Sequence, residues 1–379
     1  MSRLLLTQAG HAPVRVYARR MDAATERQLQ HLAAQPYVEP EVAAMADAHL
    51  AEGVAVGTVF ATKDHLVPGA LGGDLGCGMS AIRFDVEADR LDRDELVRLL
   101  DHLGQAIPVG DAEHRRPVVV PEALRAATLS TASLNRVKDR LLPRHHGTLG
   151  GGNHFLELDR DTTGRLWWVV HTGSRGVGAA IGQHHQKIAG GPLGALLVGA
   201  AAGASYLADL QVGLQIAEAN RSACLGRAAQ LLSEVVGQGP DPESRIDLFH
   251  NFVSKEQHHG ERFFVHRKGA TPAPAGALGI IPGSMGTATY LVRGKGAAES
   301  WSSASHGAGR VMSRSEARRR IRPKALAQAL RRVVYDTSKL ADLVEEAPSA
   351  YRDLREVLED QVDLVEPVLR LEPLLVLKG

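Results

Sequence analysis

The chain has 379 residues, enough for one large or two ordinary domains, and its 44 basic residues nearly balance its 43 acidic residues. This balance excludes a protein that coats nucleic acid through an overall positive field, so a nucleic-acid site would have to be a local patch. Aromatic residues make up only 4% of the chain, which argues against single-strand binding on stacked aromatic side chains.

The first half of the chain contains several predicted elements. Residues 23–34 are typical of a short amphipathic helix, and residues 54–61 of a strand. Residues 96–103 predict a helix opened by an acidic turn, and the apolar run at 167–171 predicts a short buried strand. The clearest helix spans residues 205–236, because apolar side chains recur there at steps of three and four.

The second half continues with predicted strands at 263–266 and 278–281 and a turn at 282–286. Residues 315–332 are basic and helical in pattern, and Pro323 breaks or restarts that helix. No internal repeat or linker divides the chain, and strands and helices alternate without a βαβ rhythm. We therefore predict an α+β fold and a single domain over residues 1–379.

Cysteine content and hydropathy indicate the cellular compartment of the protein. Cys77 and Cys224 give no readable disulfide framework. The apolar run near the start is only three leucines, too short for a signal peptide. The longest low-charge stretch, residues 190–204, is rich in Gly and Ala and poorly hydrophobic for a membrane span. These features predict a cytoplasmic protein with no membrane partner.

A carboxylate and a thiol lie three residues apart in the Gly-rich DLGCGM at 74–79, as Asp74 and Cys77. Taken alone, an Asp in a glycine turn usually caps the turn, and a lone Cys usually packs in the core. Cys224 lies in the apolar stripe of the long predicted helix, so we predict core packing for it. Metal binding at Asp74 and Cys77 therefore needs further donors.

Three histidines supply such candidates: His154, His171 and His250 each lie at an element end beside Gly, Asn or Thr. Any one alone is more often a hydrogen-bonded structural histidine. Together with thiolate and carboxylate, imidazole suits Zn²⁺, Mn²⁺, Fe²⁺ or Co²⁺. Spacing does not choose among these ions, although the thiolate by itself favours Zn²⁺.

Glycine-rich stretches at 147–152 and 173–178 could bring backbone N–H groups to an anion. Neither matches a Walker A or dinucleotide fingerprint, and ordinary loops are an equal alternative.

His306 lies between small residues in SHGAGR at 305–310, so its ring is open for nucleophilic attack on phosphorus. If a helix begins after His306, Arg310 and Arg314 would share one face and could grip phosphate. The alternative is a tight turn that exposes the histidine by accident. The basic residues that follow are either a solvated face or an RNA-backbone contact, namely Arg318, Arg319, Arg320, Arg322 and Lys324.

These strings together resemble the RtcB family of GTP-dependent RNA ligases, from about residue 45 to the end. The motifs, in the family's order, are DLGCGM at 74–79, GTLGGGNHFLEL at 147–158, HTGSRG at 171–176, HN at 250–251 with Glu256 following, HRKGATPA at 266–273, IIPGSMGTATY at 280–290, SHGAGRVMSR at 305–314, AYRD at 350–353 and a terminal KG. Long motifs in one order are far more specific than any metal spacing. The resemblance implies a single RtcB-like domain of mixed β-sheets layered with helices around a composite central site for metal and nucleotide.

The resemblance also implies roles for single residues. Two Mn²⁺ ions, rather than Zn²⁺, would be held by Asp74, Cys77, His154, His171 and His250. His306 would be the catalytic residue that takes GMP from GTP. The guanosine nucleotide would be lined by Asn153, Phe155, Glu157, Asn251, Pro282, Gly283, Ser284, Met285, Thr289, His306, Gly307, Ala308, Gly309, Arg310, Tyr351 and Lys378. RNA phosphates would face Arg175, Arg310 and Arg314.

The implied reaction joins an RNA 3′-phosphate or 2′,3′-cyclic phosphate end to a 5′-hydroxyl end through histidine–GMP and RNA-3′-pp-G, in tRNA splicing or RNA repair. An archease-type activator is a further candidate partner. Two alternatives stay open: a metal-dependent phosphodiesterase or phosphatase on RNA ends, and a non-catalytic RNA-binding relative. The family's MPDVHxGKG reads MADAHLAEG at 45–53, with Glu52 in place of lysine. This departure points to an RNA other than tRNA exon halves, as in a repair-type paralogue.

Overall fold

The structure is a computed structural model and describes residues 2–5 and 9–379. Its strands are β1 Arg3–Leu5, β2 Val14–Val16, β3 Val42–His49, β4 Val56–Thr62, β5 His65–Leu66, β6 Gly78–Glu87, β7 Phe155–Asp161, β8 Arg165–Thr172, β9 Leu196–Leu197, β10 Asp241–Phe249, β11 Asn251–His258, β12 Glu261–Lys268, β13 Ala270–Pro272, β14 Leu278–Ile281, β15 Thr289–Gly294, β16 Ser303–Ser305 and β17 Val365–Leu377. Its α-helices are α1 Ala23–Ala33, α2 Pro68–Leu71, α3 Arg93–Ala106, α4 Glu122–Ala126, α5 Ala132–His145, α6 Arg175–Ala189, α7 Ala201–Val236, α8 Arg314–Arg320, α9 Pro323–Ala329 and α10 Leu354–Asp360.

Two β-sheets carry most of the strands. A six-stranded sheet has the order β1-β2-β3-β4-β12-β11, and a seven-stranded sheet has the order β10-β6-β8-β7-β17-β15-β14. The seven-stranded sheet is antiparallel at every pairing, whereas β2 and β3 of the other sheet run parallel. Mixed sheets layered with helices confirm the predicted α+β class.

Strand β8 shows why the seven-stranded sheet is central to the fold. Its side chains alternate between two apolar clusters: Trp168 and Val170 pack towards helices α3 and α7, and Trp167 and Val169 pack on the other face. Because both faces are buried, the strand reads in sequence as one continuous apolar run. The predicted strand at 167–171 is confirmed, with β8 extending it at both ends.

Most predicted helices are confirmed with small shifts. The helix expected at 205–236 is α7, which begins at Ala201 and is 36 residues long, and Cys224 is buried in its apolar stripe. The predicted basic helix divides into α8 and α9, and Pro323 occupies the first turn of α9, where its missing N–H costs nothing. Among the described residues, no helix is both long and apolar enough to cross a membrane.

The condition for Arg310 and Arg314 to share a helix face, a helix that begins after His306, is not met. The chain from 306 to 313 is irregular, and α8 begins only at Arg314, with the Ser313 side chain as its N-cap. Gly309 has a φ of +72°, and a Cβ there would lie 2.4 Å from the backbone oxygen of Asp47. This close approach needs glycine and prevents a helical start, so Arg310 and Arg314 do not share a helix face.

Candidate metal centre and nucleotide pocket

The metal ligands expected from the sequence converge. The Cys77 Sγ lies 3.4 Å from the His154 Nε2 and 3.1 Å from the His171 Nε2. The His171 Nε2 lies 2.9 Å from the His250 Nε2, and the Asp74 Oδ2 lies 3.1 Å from the His154 Nε2. All five side chains therefore belong to one cluster.

Neighbouring strands of the seven-stranded sheet bring these residues together. Cys77 directly precedes β6, and His171 lies near the end of β8, which pairs with β6. His154 directly precedes β7 on the other side of β8, and His250 joins β10 to β11. The His250 backbone N–H donates to the Cys77 carbonyl oxygen over 2.9 Å, which fixes the two loops against each other.

Backbone carbonyls orient two of the imidazole rings. The His154 Nδ1 donates to the Leu149 oxygen over 3.0 Å, and the His171 Nδ1 donates to the Asn153 oxygen over 3.1 Å. Because a carbonyl only accepts, the proton of each ring lies on Nδ1, and the Nε2 lone pair faces the cluster. This is the orientation that a metal-binding histidine requires.

Burial sets the charge of the cluster. It lowers the pKa values of His171 and His250, so both rings are neutral, and it raises the pKa of the Cys77 thiol, which the nearby Asp74 charge raises further. Imidazole nitrogens, a carboxylate oxygen and a sulfur that can ionise when a metal binds thus meet at one point, and this set of ligand atoms fits a divalent cation of borderline softness.

His306 is held by Asp47, a residue of the MADAH segment to which the sequence motifs assigned no role. Its Nδ1–H donates to the Asp47 Oδ2 over 2.7 Å, and the backbone N–H groups of His306 and Gly307 donate to the same oxygen over 3.2 Å each. Asp47 is fully buried on β3. Because a carboxylate only accepts, the Nε2 of His306 is left with its lone pair. The Asp retained in MADAH at 45–49 was the available signal for this role.

His306, the candidate nucleophile, lies next to the cluster of candidate metal ligands. The ring centroids of His306 and His250 are 4.7 Å apart. Gly269, at the end of β12, has a φ of +63°, and a Cβ there would lie 3.1 Å from the His306 Cε1. The glycine of the HRKGATPA motif therefore leaves room for the His306 ring.

A single cavity of about 1100 Å³ covers this centre. Asp74, His171 and His250 line its floor. All of the residues expected to line a guanosine nucleotide also line it, namely Asn153, Phe155, Glu157, Asn251, Pro282, Gly283, Ser284, Met285, Thr289, His306, Gly307, Ala308, Gly309, Arg310, Tyr351 and Lys378. The volume is of the size that a small-molecule site requires.

Lys378, the penultimate residue, closes one wall of the cavity. Its ammonium is buried and donates to the His154 carbonyl oxygen over 3.1 Å, and it pairs with the Glu346 Oε2 at 3.1 Å. Burial lowers the pKa of Lys378, and Glu346 opposes that effect. Glu346 also accepts from the Tyr351 hydroxyl over 2.7 Å. The C-terminus is thus tied into the pocket.

The three arginines expected at RNA phosphates differ in position. Arg314 lines the cavity and pairs with Glu345 at 3.3 Å. Arg310 also lines it, but its guanidinium donates to Glu346, to Tyr351 and to two backbone oxygens. Arg175 lies outside the lining, with its Nη1 3.4 Å from the His154 Nδ1. The structure therefore brings Arg310 and Arg314, but not Arg175, to the cavity wall.

The charge-reversing residue of the MADAHLAEG segment lies in the same wall. Glu52 lines the cavity and is exposed, and its backbone oxygen accepts from the Lys268 ammonium over 2.7 Å. Burial lowers the pKa of Lys268 to about 8. A carboxylate therefore projects where the family pattern has a lysine.

The sequence is similar to known proteins along most of its length. The family model described as tRNA-splicing ligase RtcB matches residues 28–135 and 122–379. The RNA-splicing ligase RtcB of Escherichia coli K12 is 34% identical over 409 aligned residues, with 99% of each chain covered. The tRNA-splicing ligase RtcB of Archaeoglobus fulgidus is 27% identical over 445, covering 93% of this chain and 90% of its own. The chain belongs to the RtcB family.

Proposed function

We propose that this protein is an RNA ligase that uses GTP and Mn²⁺ to join an RNA 3′-phosphate to a 5′-hydroxyl. The main support for the proposal is the environment of His306. Asp47 holds its Nδ1 proton, its ring lies beside the Asp74–Cys77–His cluster, and it opens into the cavity that Lys378 closes. The RNA-splicing and tRNA-splicing ligases among the relatives support the substrate class.

The His306 Nε2 attacks the α-phosphorus of GTP in the first step. A P–N bond forms, and the bond from that phosphorus to the pyrophosphate oxygen breaks. Asp47 keeps the Nδ1 proton and stabilises the positive charge that develops on the ring. An oxygen of the RNA 3′-phosphate then attacks the same phosphorus, and the P–N bond breaks. The 5′-hydroxyl of the second RNA finally attacks the activated 3′-phosphate, losing its proton as GMP leaves.

Two Mn²⁺ ions bound by Asp74, Cys77, His154, His171 and His250 would supply neutralisation of phosphate charge. The chain's own groups do the remaining work. Lys378 and Glu157 contact the base, while Arg310 and Arg314 border the phosphates. Arg310 can bind a phosphate only if it loses part of its contact with Glu346. We therefore propose that its main role is to hold the pocket wall in place.

We expect one domain over residues 1–379, because the cavity draws residues from both ends of the chain. We expect a cytoplasmic enzyme, with an archease-type protein as an activator. Glu52 places a negative charge in the cavity wall where the family motif has a lysine, and from this departure we expect an RNA other than tRNA exon halves, as in a repair-type paralogue.

Labelling with α-³²P-GTP and Mn²⁺ tests the proposal. The denatured protein should carry label that is lost in acid and kept in alkali, as a histidine phosphoramidate is. The variant His306→Ala should carry none while still binding Mn²⁺. A phosphodiesterase or phosphatase would not need His306 or Lys378, and a non-catalytic relative would take no label. An unlabelled parent protein would therefore refute the ligase mechanism.

A further inference from the structure

Glu157 is one of the acidic side chains that line the nucleotide pocket. It lies on β7 and faces the cavity, where the Thr289 hydroxyl of β15 donates to its Oε1 over 2.8 Å. The positive charge of Lys378, which directly follows β17, favours the ionised form of Glu157 and so acts to lower its pKa. A carboxylate in this position can accept hydrogen bonds from a base, provided that it is ionised.

Asp159 lies two residues further along β7 on the same face, behind Glu157. It is fully buried, does not line the cavity, and accepts from no N–H or hydroxyl group in residues 2–5 and 9–379. Its cross-strand neighbours are Trp167 on β8 and Pro373 on β17. The indole N–H of Trp167 donates instead to the Asp161 Oδ2 over 2.9 Å. An ionised carboxylate would be left without any compensation here.

Glu157 and Asp159 project from the same face of β7, and neither Asp159 oxygen has a hydrogen-bond partner among the described residues. A bond between the two carboxyl groups would satisfy Asp159, and such a bond requires one shared proton. Burial and the adjacent Glu157 charge raise the pKa of Asp159 well above its usual range. Burial raises the pKa of Glu157 to about 7, while Thr289, Lys378 and the hydrogen bond with Asp159 act in the opposite direction. The proton therefore belongs on Asp159, whose carboxyl pairs with no cation in residues 2–5 and 9–379.

We propose that Asp159 is a positioning residue which stays protonated and donates to Glu157, so that Glu157 remains ionised and accepts the Watson–Crick edge of guanine. This inference rests on the proposed nucleotide pocket. Guanine presents its N1–H and 2-amino donors at that edge, whereas adenine presents an N1 acceptor. An ionised Glu157 binds the first pattern and rejects the second, because a carboxylate cannot donate. Asp159 thus sets base choice without touching the base.

Binding of GMP and AMP, measured by calorimetry on the full chain between pH 6 and pH 8.5, tests this assignment. GMP avoids the guanylylation step. Asp159→Asn should bind GMP as the parent does, because its amide N–H₂ replaces the carboxyl donor. Asp159→Leu should bind GMP about tenfold more weakly at pH 7, the effect expected when one hydrogen bond to a charged group is removed, and should discriminate less against AMP.

The pH profile separates this role from a packing defect. Without its donor, Glu157 should ionise at higher pH, so the Asp159→Leu variant should recover GMP affinity towards pH 8.5. Asp161→Asn is the matched control, since Asp161 lies on the same face but bonds Thr163 and Trp167, and its profile should equal that of the parent. Equal affinities and profiles in the parent and Asp159→Leu would overturn the assignment, as would a uniform loss without recovery. A parent that binds no GMP would overturn the nucleotide pocket itself.

Discussion

Asp47 decides which nitrogen of His306 faces the cavity. Its Oδ2 accepts from the His306 Nδ1 and from two backbone N–H groups, so the ring has one orientation and one tautomer. Asp47 is fully buried, whereas the His306 side chain retains some exposure towards the cavity. A nucleophilic imidazole is thus prepared before any nucleotide binds.

Asp47→Asn should slow self-guanylylation on the order of 10²-fold or more, because the amide can donate to Nδ1 and so favour the wrong tautomer. The rate constant of α-³²P-GTP labelling in a single turnover measures this effect. Asp209→Asn is the matched control: Asp209 also pairs with a buried histidine, His185 at 2.7 Å, but neither residue lines the cavity. A parental labelling rate in Asp47→Asn would show that Asp47 does not orient the nucleophile.

The two cysteines offer a matched pair for the metal centre. Both are buried, but Cys77 contacts two histidines and Cys224 packs among leucines of α7. Cys77→Ala should remain folded and lose Mn²⁺ affinity together with Mn²⁺-dependent labelling. Cys224→Ala should keep both and lose about 1 kcal/mol of unfolding free energy, as expected for a small core truncation. If calorimetric Mn²⁺ affinity is the same in Cys77→Ala and the parent, Cys77 is not a ligand.

At the scale of elements, strand β17 connects the seven-stranded sheet to the nucleotide pocket. It pairs with β7 on one side and β15 on the other, and its last residue Leu377 lies opposite Leu156. The strand therefore delivers Lys378 to the pocket as part of a sheet, although a chain terminus is normally frayed.

Deleting residues 378–379 should reduce GTP-dependent labelling far more than it reduces the unfolding free energy. All strand pairs of β17 remain, and Glu346 keeps its contacts with Arg310 and Tyr351. Urea unfolding and the GTP concentration dependence of labelling measure the two effects. Parental labelling by the truncated chain would make the tail purely structural.

Elements with strong local periodicity could be predicted from the sequence, and elements made by distant pairing could not. The apolar periodicity of α7 and the apolar run of β8 are local patterns, and each predicts its element without information from the rest of the chain. The tail that forms β17 contains two prolines and several charges, and it is a strand only because β7 and β15 supply partners. The irregular conformation of residues 306–313 likewise depends on the contact between His306 and Asp47. These two residues lie 259 positions apart, so no local pattern encodes the contact.

At the scale of the whole molecule, the site joins residues from Asp47 to Lys378. The motifs identified the participants through family resemblance, and every residue expected in the nucleotide pocket lines the cavity. The position of Arg175 at the start of α6 was not predictable, because it depends on tertiary packing. Asp47 was marked by its place in the MADAH segment, but its contact with His306 was not predictable from that segment alone. Motifs indicate chemistry, whereas the contacts between them come from tertiary packing.

The basic surface of α8 and its flank is expected to bind RNA. Arg319 and Arg322 are exposed and follow the cavity residue Arg314 along the chain, and they have no acidic partner among the described residues. RNA affinity should fall steeply with salt, and Arg319→Ala with Arg322→Ala should lower the slope of log K against log [salt] by about one for each phosphate that is no longer neutralised. Arg98→Ala, exposed on α3, is the control. An unchanged slope in the double variant would exclude this surface from RNA binding.

The most direct test of the central claim uses two synthetic RNA pairs with GTP and Mn²⁺. One pair carries a 3′-phosphate and a 5′-hydroxyl, and the other carries a 3′-hydroxyl and a 5′-phosphate. Because the adduct on His306 activates a phosphate at the 3′ end, the account predicts GTP-dependent joining of the first pair only, and no joining by His306→Ala. Joining of the second pair, or release of inorganic phosphate from the first pair without a joined product, would contradict it.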